Sequence, residues 1–197
     1  LFIYSVLFSI VGTVFVIKAH SYIFGAIDEI HAMRESEPQM SKFMLDLVDS
    51  NPKVQIKHRF VPLDSISKKL QHAVIAVEDP SFYYHPGIDI RSIVTAVDAN
   101  VTSGKLRYGG STITQQLAKN LFLTGERTWE RKVRELGYAF LMEYDLGKKR
   151  ILELYLNYAQ WGKDIFGCEA ASEAYYGVHC SQLDSTQALN LAAMLVA

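Results

Sequence analysis

The sequence has few cysteines, almost no net charge, no internal repeat and no low-complexity tract. Its two cysteines, Cys168 and Cys180, fit no metal-ligand spacing, which argues against a cysteine metal site and leaves one disulfide or two free thiols. A formal net charge of -1 does not by itself indicate any particular partner. Strand-like alternation is scarce, so we predict a mostly α-helical globular protein.

Charged residues are also missing from the first part of the chain. Residues 1–17 are uncharged, and Lys18 closes the run. At about 1.5 Å per residue, a helix of this length spans roughly 26 Å, slightly less than the ~30 Å hydrocarbon core of a bilayer. We predict a transmembrane anchor over residues 1–17, with a cleaved signal peptide as the alternative. The chain starts at Leu1 rather than Met, so we expect residues upstream of it, and flanking charges do not fix the orientation.

Residues 18–55 are predicted to form a connector or jaw region with a helix in it, and residues 56–197 the main domain. The final apolar helical pattern has no capping residue, so we expect the domain to be truncated at its C-terminal end. A weak alternation over 54–63 predicts one short strand, followed by a helix capped by Asp64 or Ser65. Further helical patterns cover 87–104, 113–123, 128–145, 148–160, 167–176 and 184–196.

Two carboxylates lie at the end of the helix that Asp64 or Ser65 is predicted to cap, in the stretch AVEDPSFYYHPG. The helix dipole opposes negative charge at a C-terminus, so Glu78 and Asp79 are not placed there for stability. A metal site at Asp79 and His85 is disfavoured, because their spacing is not a recognised ligand pattern and no third ligand is evident. We expect Asp79, His85 and Gly87 to hold the turn, and Phe82 to belong half to the core and half to the wall of a site.

Positive charge is concentrated in one part of the chain. Residues 104–150 carry ten Lys and Arg against five Asp and Glu, which predicts either an anionic ligand or solvated helix faces. A Gly-Gly loop precedes a capping box at Thr112, and such a helix start favours anions. Thr112, Gln116, Lys119 and Asn120 share one face that suits phosphate oxygens, although an ordinary amphipathic helix with a wet side is the simpler alternative.

A second cationic face follows on the next predicted helix. Arg127, Arg131 and Glu135 are spaced four residues apart, and Lys132 lies three before Glu135. An Arg131–Glu135 pair would stabilise the helix by a few tenths of a kcal/mol, but four Lys and Arg in eight residues exceed what that pair needs. We interpret this face as a surface for a multiply charged group. Glu78 and Glu135 then supply the two carboxylates that glycosyl chemistry requires.

Four blocks of the sequence together resemble the peptidoglycan glycosyltransferases of the lysozyme-like superfamily, glycosyltransferase family 51. The resemblance extends from about Val61 to the end of the chain and is most like the monofunctional biosynthetic type. It implies a two-lobed, lysozyme-like fold behind an N-terminal membrane helix. The blocks are Glu78-Asp79-x-x-Phe82-x-x-His85-x-Gly87, Gly110-Ser111-Thr112-Ile113-Thr114-Gln115-Gln116 with Lys119-Asn120, Arg131-Lys132-x-x-Glu135 and Ile151-Leu152-Glu153-x-Tyr155-Leu156-Asn157.

The resemblance implies inverting polymerisation of lipid II into β-1,4 glycan strands, with lipid diphosphate as the leaving group. Glu78 would be the general base at the acceptor hydroxyl, and Glu135 would assist on the donor or diphosphate side. Asn157 would help to shape the site, together with the turn residues. The residues implied to hold the substrate are Ser111, Thr112, Gln115, Gln116, Lys119, Asn120, Arg127, Arg131 and Lys132.

The implied partners are lipid II, the lipid-linked glycan strand, the membrane bilayer and the cell-wall synthesis machinery, and not nucleic acid. The implied location is the outer, periplasmic side of the bacterial cytoplasmic membrane, on a single-pass anchor. A divalent cation, Mg²⁺ or Mn²⁺, would assist the leaving group, although no ligand set in the sequence demands one. The alternatives are a lysozyme-like glycosidase or lytic enzyme and a non-catalytic scaffold. A hydrolase of neutral glycan has no need of cations beside its second carboxylate, whereas a diphosphate leaving group does.

Overall fold

A computed structural model describes residues 24–104, 109–123, 125–126 and 128–195, together with residues 12, 13 and 17. The predicted anchor over residues 1–17 therefore lies almost wholly outside the described residues, as does Arg127. Among the helices that are described, none is both long enough and apolar enough to cross a bilayer.

The fold is mostly α-helical, as predicted. A parallel pair of two-residue strands, β1 (Lys57–His58) and β2 (Ile165–Phe166), is the one sheet among the described residues, and β1 lies within the stretch predicted as a strand. Short 3-10 turns cover Leu63–Ser65 and Cys180–Gln182. The helices are α1 (residues 24–32), α2 (Lys42–Ser50), α3 (Lys68–Glu78), α4 (Ile90–Ser103), α5 (Ile113–Phe122), α6 (Trp129–Asp145), α7 (Gly147–Tyr158), α8 (Cys168–Tyr176) and α9 (Ser185–Leu195).

The start of α3 differs from the prediction. Asp64 and Ser65 do not cap the helix but lie in a 3-10 turn, and α3 begins only at Lys68. The reason is the buried side chain of Gln71, whose amide donates hydrogen bonds of 3.0 and 2.9 Å to two carbonyls of the turn region. One of these carbonyls, that of Ile66, would have accepted a hydrogen bond from within a longer helix, whereas that of Leu63 also accepts from the Ile66 N–H at 3.1 Å and holds the 3-10 turn. The end of α3 is as predicted, with Glu78 as its last residue.

Helix α5 occupies the centre of the domain and packs against α2, α6 and α7. Its residues Ile113, Leu117, Ala118 and Leu121 are buried, so the helix is enclosed on most of its surface. Helix α3 packs mainly against α9. The buried position of α5 matters for function, because its two ends and its polar face hold the candidate site residues described below.

The two cysteines are free thiols in the hydrophobic core. Cys168 begins α8, and Cys180 begins the second 3-10 turn, where its N–H donates to the Glu169 carboxylate at 2.8 Å. Of the two alternatives left by the sequence, the structure therefore has the pair of free thiols.

Candidate active site

The turn after α3 is held by a buried carboxylate and a buried imidazole. His85 Nδ1 accepts a hydrogen bond of 3.1 Å from the Gly87 N–H, so Nε2 carries the proton that is donated to Asp79, 2.9 Å from Oδ1. Asp79 Oδ2 also accepts from the Ile113 N–H at 3.1 Å, at the first turn of α5. Asp79 therefore ties the end of α3 to the start of α5, and His85 fixes the turn between them.

Gly87 closes this turn in a conformation that other residues rarely adopt, with φ of +89°. A Cβ atom there would lie 2.9 Å from Glu143 Cγ and 3.3 Å from the carbonyl oxygen of Ala139. Its own carbonyl accepts a hydrogen bond of 2.6 Å from the Thr112 hydroxyl. A glycine at this position thus lets the turn lie directly against α6 and the start of α5.

Phe82 corrects one of our expectations. The ring is fully buried, so it is a core residue and does not form half of a site wall. The ammonium of Lys148 lies 4.4 Å from the ring centroid and also pairs with Glu143 at 2.7 Å. Because α6 and α7 cover this side of the turn, the ring has no exposed edge.

Thr112 and Gln115 form the predicted capping box at the start of α5. The Gln115 N–H donates to Thr112 Oγ1 at 3.2 Å, and the Thr112 N–H donates to Gln115 Oε1 at 3.0 Å. Both side chains are almost fully buried. Their described hydrogen bonds hold the helix start, and the contact with substrate that the resemblance implies for them stays a prediction.

Glu78 lies at the end of α3 and faces the polar side of α5. Gln116 Nε2 donates a hydrogen bond of 2.6 Å to Glu78 Oε2, and the Tyr155 hydroxyl donates one of 3.0 Å to Gln116 Oε1. The other carboxylate oxygen, Glu78 Oε1, is buried and has no hydrogen-bond partner among the described residues. An unpaired buried polar atom costs roughly 1–3 kcal/mol, and more when it is charged, so this oxygen is suited to a ligand hydroxyl.

Glu135 lies in α6 and is buried among cations, with 3% of its surface exposed. It accepts a hydrogen bond of 2.6 Å from Arg131 Nη1 and another from Lys132 Nζ. Lys132 Nζ also donates to Ser111 Oγ at 3.3 Å, which connects this cluster to the loop before α5. With two cations to one carboxylate, the cluster keeps one positive charge for an anionic group.

Gly110 brings this loop close to α4. A Cβ atom at Gly110 would lie 2.8 Å from the Ile93 Cα, so a side chain there would displace the loop. Next to it lies an open cavity of about 400 Å³, whose lining includes Ser111, Lys132 and Trp129 together with apolar residues of α4. The cavity thus has a cationic end and an apolar side.

Lys119 connects the two carboxylates electrostatically. Its pKa is lowered from the ordinary value because the protein removes water from the ammonium, and the charges of Arg131 and Lys132 lower it further, whereas those of Glu135 and Glu78 act in the opposite direction. Part of the Lys119 side chain nevertheless remains exposed to solvent. It therefore lies within the fields of both carboxylates and can reach a ligand between them.

The sequence profile of the family described as Transglycosylase matches residues 46–197. The chain belongs to the Transglycosylase family. The match begins upstream of residue 56, the predicted start of the main domain, and therefore takes in part of the connector.

Curated relatives of this chain are named biosynthetic peptidoglycan transglycosylase. The relative from Janthinobacterium sp. (strain Marseille) is 49% identical over 149 residues, covering 76% of this chain and 64% of that protein. The relative from Herminiimonas arsenicoxydans is 48% identical over 162 residues, covering 80% of this chain and 70% of that protein. The relative from Nitrosospira multiformis is 42% identical over 178 residues, covering 88% and 77%. The chain thus spans less than two thirds of the length of the Janthinobacterium protein.

Asn157 lies in α7 and holds neighbouring backbone segments together. Its fully buried amide group pairs with both backbone groups of Val61 at 2.9 Å and donates to the Glu153 carbonyl at 2.8 Å. Gly167 passes so close that a Cβ atom there would lie 2.6 Å from the Asn157 carbonyl oxygen. Asn157 therefore shapes the site only indirectly, by fixing the segment before α3.

Asn120 and Arg127 remain unassigned. Asn120 is half-buried in α5, and no described hydrogen bond gives it a role. Arg127 lies outside the described residues, so its place relative to the cationic cluster stays a prediction. By contrast, the sequence placed Tyr155 in the fourth block but gave it no role, although the hydroxyl of a buried tyrosine usually finds a hydrogen-bond partner.

One group of side chains in the described part of the chain has ligand atoms close enough to hold a metal ion, namely Glu169, Glu173 and His179. It belongs to α8 and the segment after it, whereas the candidate site is built on α3, α5 and α6. The Arg59 guanidinium bonds Glu169 and lies 2.6 Å from Glu173 Oε1, so an internal cation already serves the two carboxylates.

Proposed function

We propose that this protein is a membrane-anchored peptidoglycan glycosyltransferase that polymerises lipid II into β-1,4 glycan strands. The observation that carries the proposal is the pairing of two unlike carboxylates around α5. Glu78 has one oxygen that finds no partner in the described part of the chain, and Glu135 is embedded in a cluster with excess positive charge. The name shared by the relatives supports the same activity.

In the proposed reaction Glu78 is the general base. It takes the proton from the 4-hydroxyl of the acceptor sugar as that oxygen attacks C1 of the donor sugar. The new glycosidic bond forms while the bond from C1 to the lipid diphosphate breaks, with inversion at C1. The proton ends on Glu78, and the electron pair of the broken bond leaves with the diphosphate.

The cationic cluster would stabilise the charge that develops on the leaving diphosphate. Arg131, Lys132 and Lys119 carry fixed positive charges on the polar side of α5 and α6, and such preorganised charges act most strongly in a partly dehydrated site. Glu135 would act on the diphosphate side, because its bonds to Arg131 and Lys132 hold these cations in place. Ser111, beside Lys132, and Gln116, beside Glu78, would contact the sugars or phosphates at the two ends of this cationic cluster.

A divalent cation, Mg²⁺ or Mn²⁺, would enter this site with the diphosphate. Among the described residues, the group spaced to hold a metal is Glu169, Glu173 and His179, on α8 and the segment after it. The candidate site itself offers one carboxylate at each end, Glu78 and Glu135. The cation would add positive charge beside the phosphate oxygens. The cell-wall synthesis machinery is a further proposed partner, and nucleic acid is not.

The exposed face of α4 supports a position against the bilayer. Ile90, Val94, Val97 and Val101 recur at helical spacing, and more than half of each residue is exposed. An apolar stripe of this kind is typical of a surface that meets lipid or another protein. We propose that the domain lies on the outer side of the bacterial cytoplasmic membrane, with the segment at residues 1–17 as its single-pass anchor.

The test is incubation of the full-length protein with labelled lipid II. We expect polymer that lysozyme degrades, and we expect Glu78→Gln to lower the rate at least a hundredfold, since general-base catalysis typically contributes 10²- to 10⁴-fold. Glu173→Gln, a substitution on α8, is the matched control and should stay within about twofold of the wild type.

Absence of polymer with the full-length wild-type protein would refute the proposal. Release of new reducing ends from preformed glycan strands would instead favour the lysozyme-like hydrolase. Full activity of Glu78→Gln would show that another group is the base.

A further inference from the structure

A chain of two hydrogen bonds connects α7 to the end of α3 through α5. The Tyr155 hydroxyl lies 3.0 Å from Gln116 Oε1, and Gln116 Nε2 lies 2.6 Å from Glu78 Oε2. Tyr155 is almost fully buried, so its hydroxyl is held in one place by packing. The order Tyr155, Gln116, Glu78 joins a rigid core residue to the carboxylate of the proposed base.

Only one orientation of the Gln116 amide suits both neighbours. A carboxylate accepts hydrogen bonds and does not donate them, so Glu78 requires the NH₂ group of Gln116 on its side. The carbonyl oxygen of Gln116 then faces Tyr155, which must donate. If the amide turned over, two oxygens would face each other across 2.6 Å.

Tyr155 keeps the proton that this arrangement needs. Its pKa is raised well above the ordinary value, first because the phenol is buried and then because Glu78 and Asp79 carry negative charge nearby. The hydroxyl therefore stays a donor throughout the pH range in which proteins are assayed. It cannot become a phenolate that would repel the Gln116 carbonyl.

We propose that Tyr155 is a positioning residue for glycosyl transfer: by fixing the Gln116 amide it keeps Glu78 Oε2 occupied and leaves Oε1 as the atom that accepts the proton. Oε1 is the oxygen that has no partner among the described residues. The inference rests on the proposed role of Glu78 as the base. Tyr155 itself does not touch the substrate and acts through Gln116.

The test compares Tyr155→Phe with Tyr158→Phe in the full-length protein. Tyr158 is a second fully buried tyrosine of α7, and its hydroxyl bonds the Pro38 carbonyl instead of Gln116. Each variant loses one buried hydroxyl, so their thermal stabilities should fall by similar amounts. We expect Tyr155→Phe to lower kcat about tenfold or more with KM for lipid II within about twofold, and Tyr158→Phe to leave both nearly unchanged. Rates are measured at a temperature at which circular dichroism shows both variants to be folded.

A double-mutant cycle separates positioning from general damage. In a Gln116→Ala background, Tyr155→Phe should change kcat less than about twofold, because the group through which Tyr155 acts is gone. Placing 4-aminophenylalanine at position 155 by amber suppression keeps a donor and should restore most of kcat. Equal kcat losses in the two Phe variants, an undiminished effect in the Gln116→Ala background, or no rescue by the amino group would overturn the inference.

The outcome for the wild type keeps this inference distinct from the proposed function. If the wild type makes no polymer, the proposed function fails and the inference fails with it. If the wild type polymerises lipid II and Tyr155→Phe keeps its kcat, only the inference about Tyr155 is overturned.

Discussion

The buried carboxylate of Glu169 gives a prediction whose size follows from the structure. It accepts hydrogen bonds from His179 Nδ1 at 2.6 Å, from the Cys180 N–H at 2.8 Å and from Arg59. Burial alone would raise the pKa of Glu169, but these bonds outweigh it and lower the pKa from 4.5 to about 2. At about 1.36 kcal/mol per unit of pKa, the ionised group contributes roughly 3 kcal/mol to the stability of the folded state.

The sign of the pH dependence follows from which state binds the proton first. The unfolded chain binds a proton near pH 4.5, whereas the folded protein does so only near pH 2. The stabilisation is therefore complete above about pH 5.5 and is lost as the pH falls through this interval. By the linkage relation, roughly 2 kcal/mol of it is gone at pH 3.

The assay is urea unfolding of the wild type and Glu169→Gln at pH 7 and pH 3. The difference in the free energy of unfolding between the two proteins should shrink by about 2 kcal/mol between these pH values. Glu173→Gln, at a carboxylate of the same cluster that is 46% exposed, is the control and should change the free energy of unfolding by less than about 1 kcal/mol. An equal difference at both pH values for Glu169→Gln would refute the assignment of a depressed pKa.

Two further substitutions test the site and its support. Lys132→Gln removes a cation that bonds Glu135 and Ser111. It should weaken lipid II binding roughly tenfold or more, since a hydrogen bond to a charged group contributes about 1.5–3 kcal/mol. If KM for lipid II is the same as in the exposed control Lys149→Gln, Lys132 serves only to stabilise the helix. Gly87→Ala forces a Cβ to 2.9 Å from Glu143 Cγ at a φ of +89° and should lower the free energy of unfolding by about 1–3 kcal/mol in urea titrations, whereas a loss below about 0.5 kcal/mol would show that the turn adapts.

Local patterns in the sequence determined most of the helices. The capping box at Thr112, the left-handed glycine after α4 at Gly104 and the carboxylates at the end of α3 were all predictable, because each depends on residues a few positions apart. The start of α3 was not, because Gln71 captures carbonyls of the preceding turn. The signal for this capture is an amide on a buried face, which sequence periodicity does not weigh.

In the candidate site, too, contacts within one helix were predictable and contacts between helices were not. The cluster of Arg131, Lys132 and Glu135 was predictable because its members lie within one turn of a helix. The bond from Tyr155 to Gln116 spans 39 positions and arises only when α7 packs against α5. Likewise, the burial of Phe82 depends on how α6 and α7 cover the turn, which no spacing in the stretch itself reveals.

Helix α5 also bears on which insertions and deletions the protein tolerates. Ser111, just before the helix, contacts Lys132 on one side, and Gln116 contacts Glu78 on the other. One residue added or removed between them would turn Gln116 by about 100° and shift it by about 1.5 Å along the helix axis. The hydrogen bond to Glu78 could not survive such a change, even if every side chain were kept. The stretch from Ser111 to Gln116 therefore acts as a spacer of fixed length. Within it, we expect an insertion or a deletion to be more damaging than a substitution.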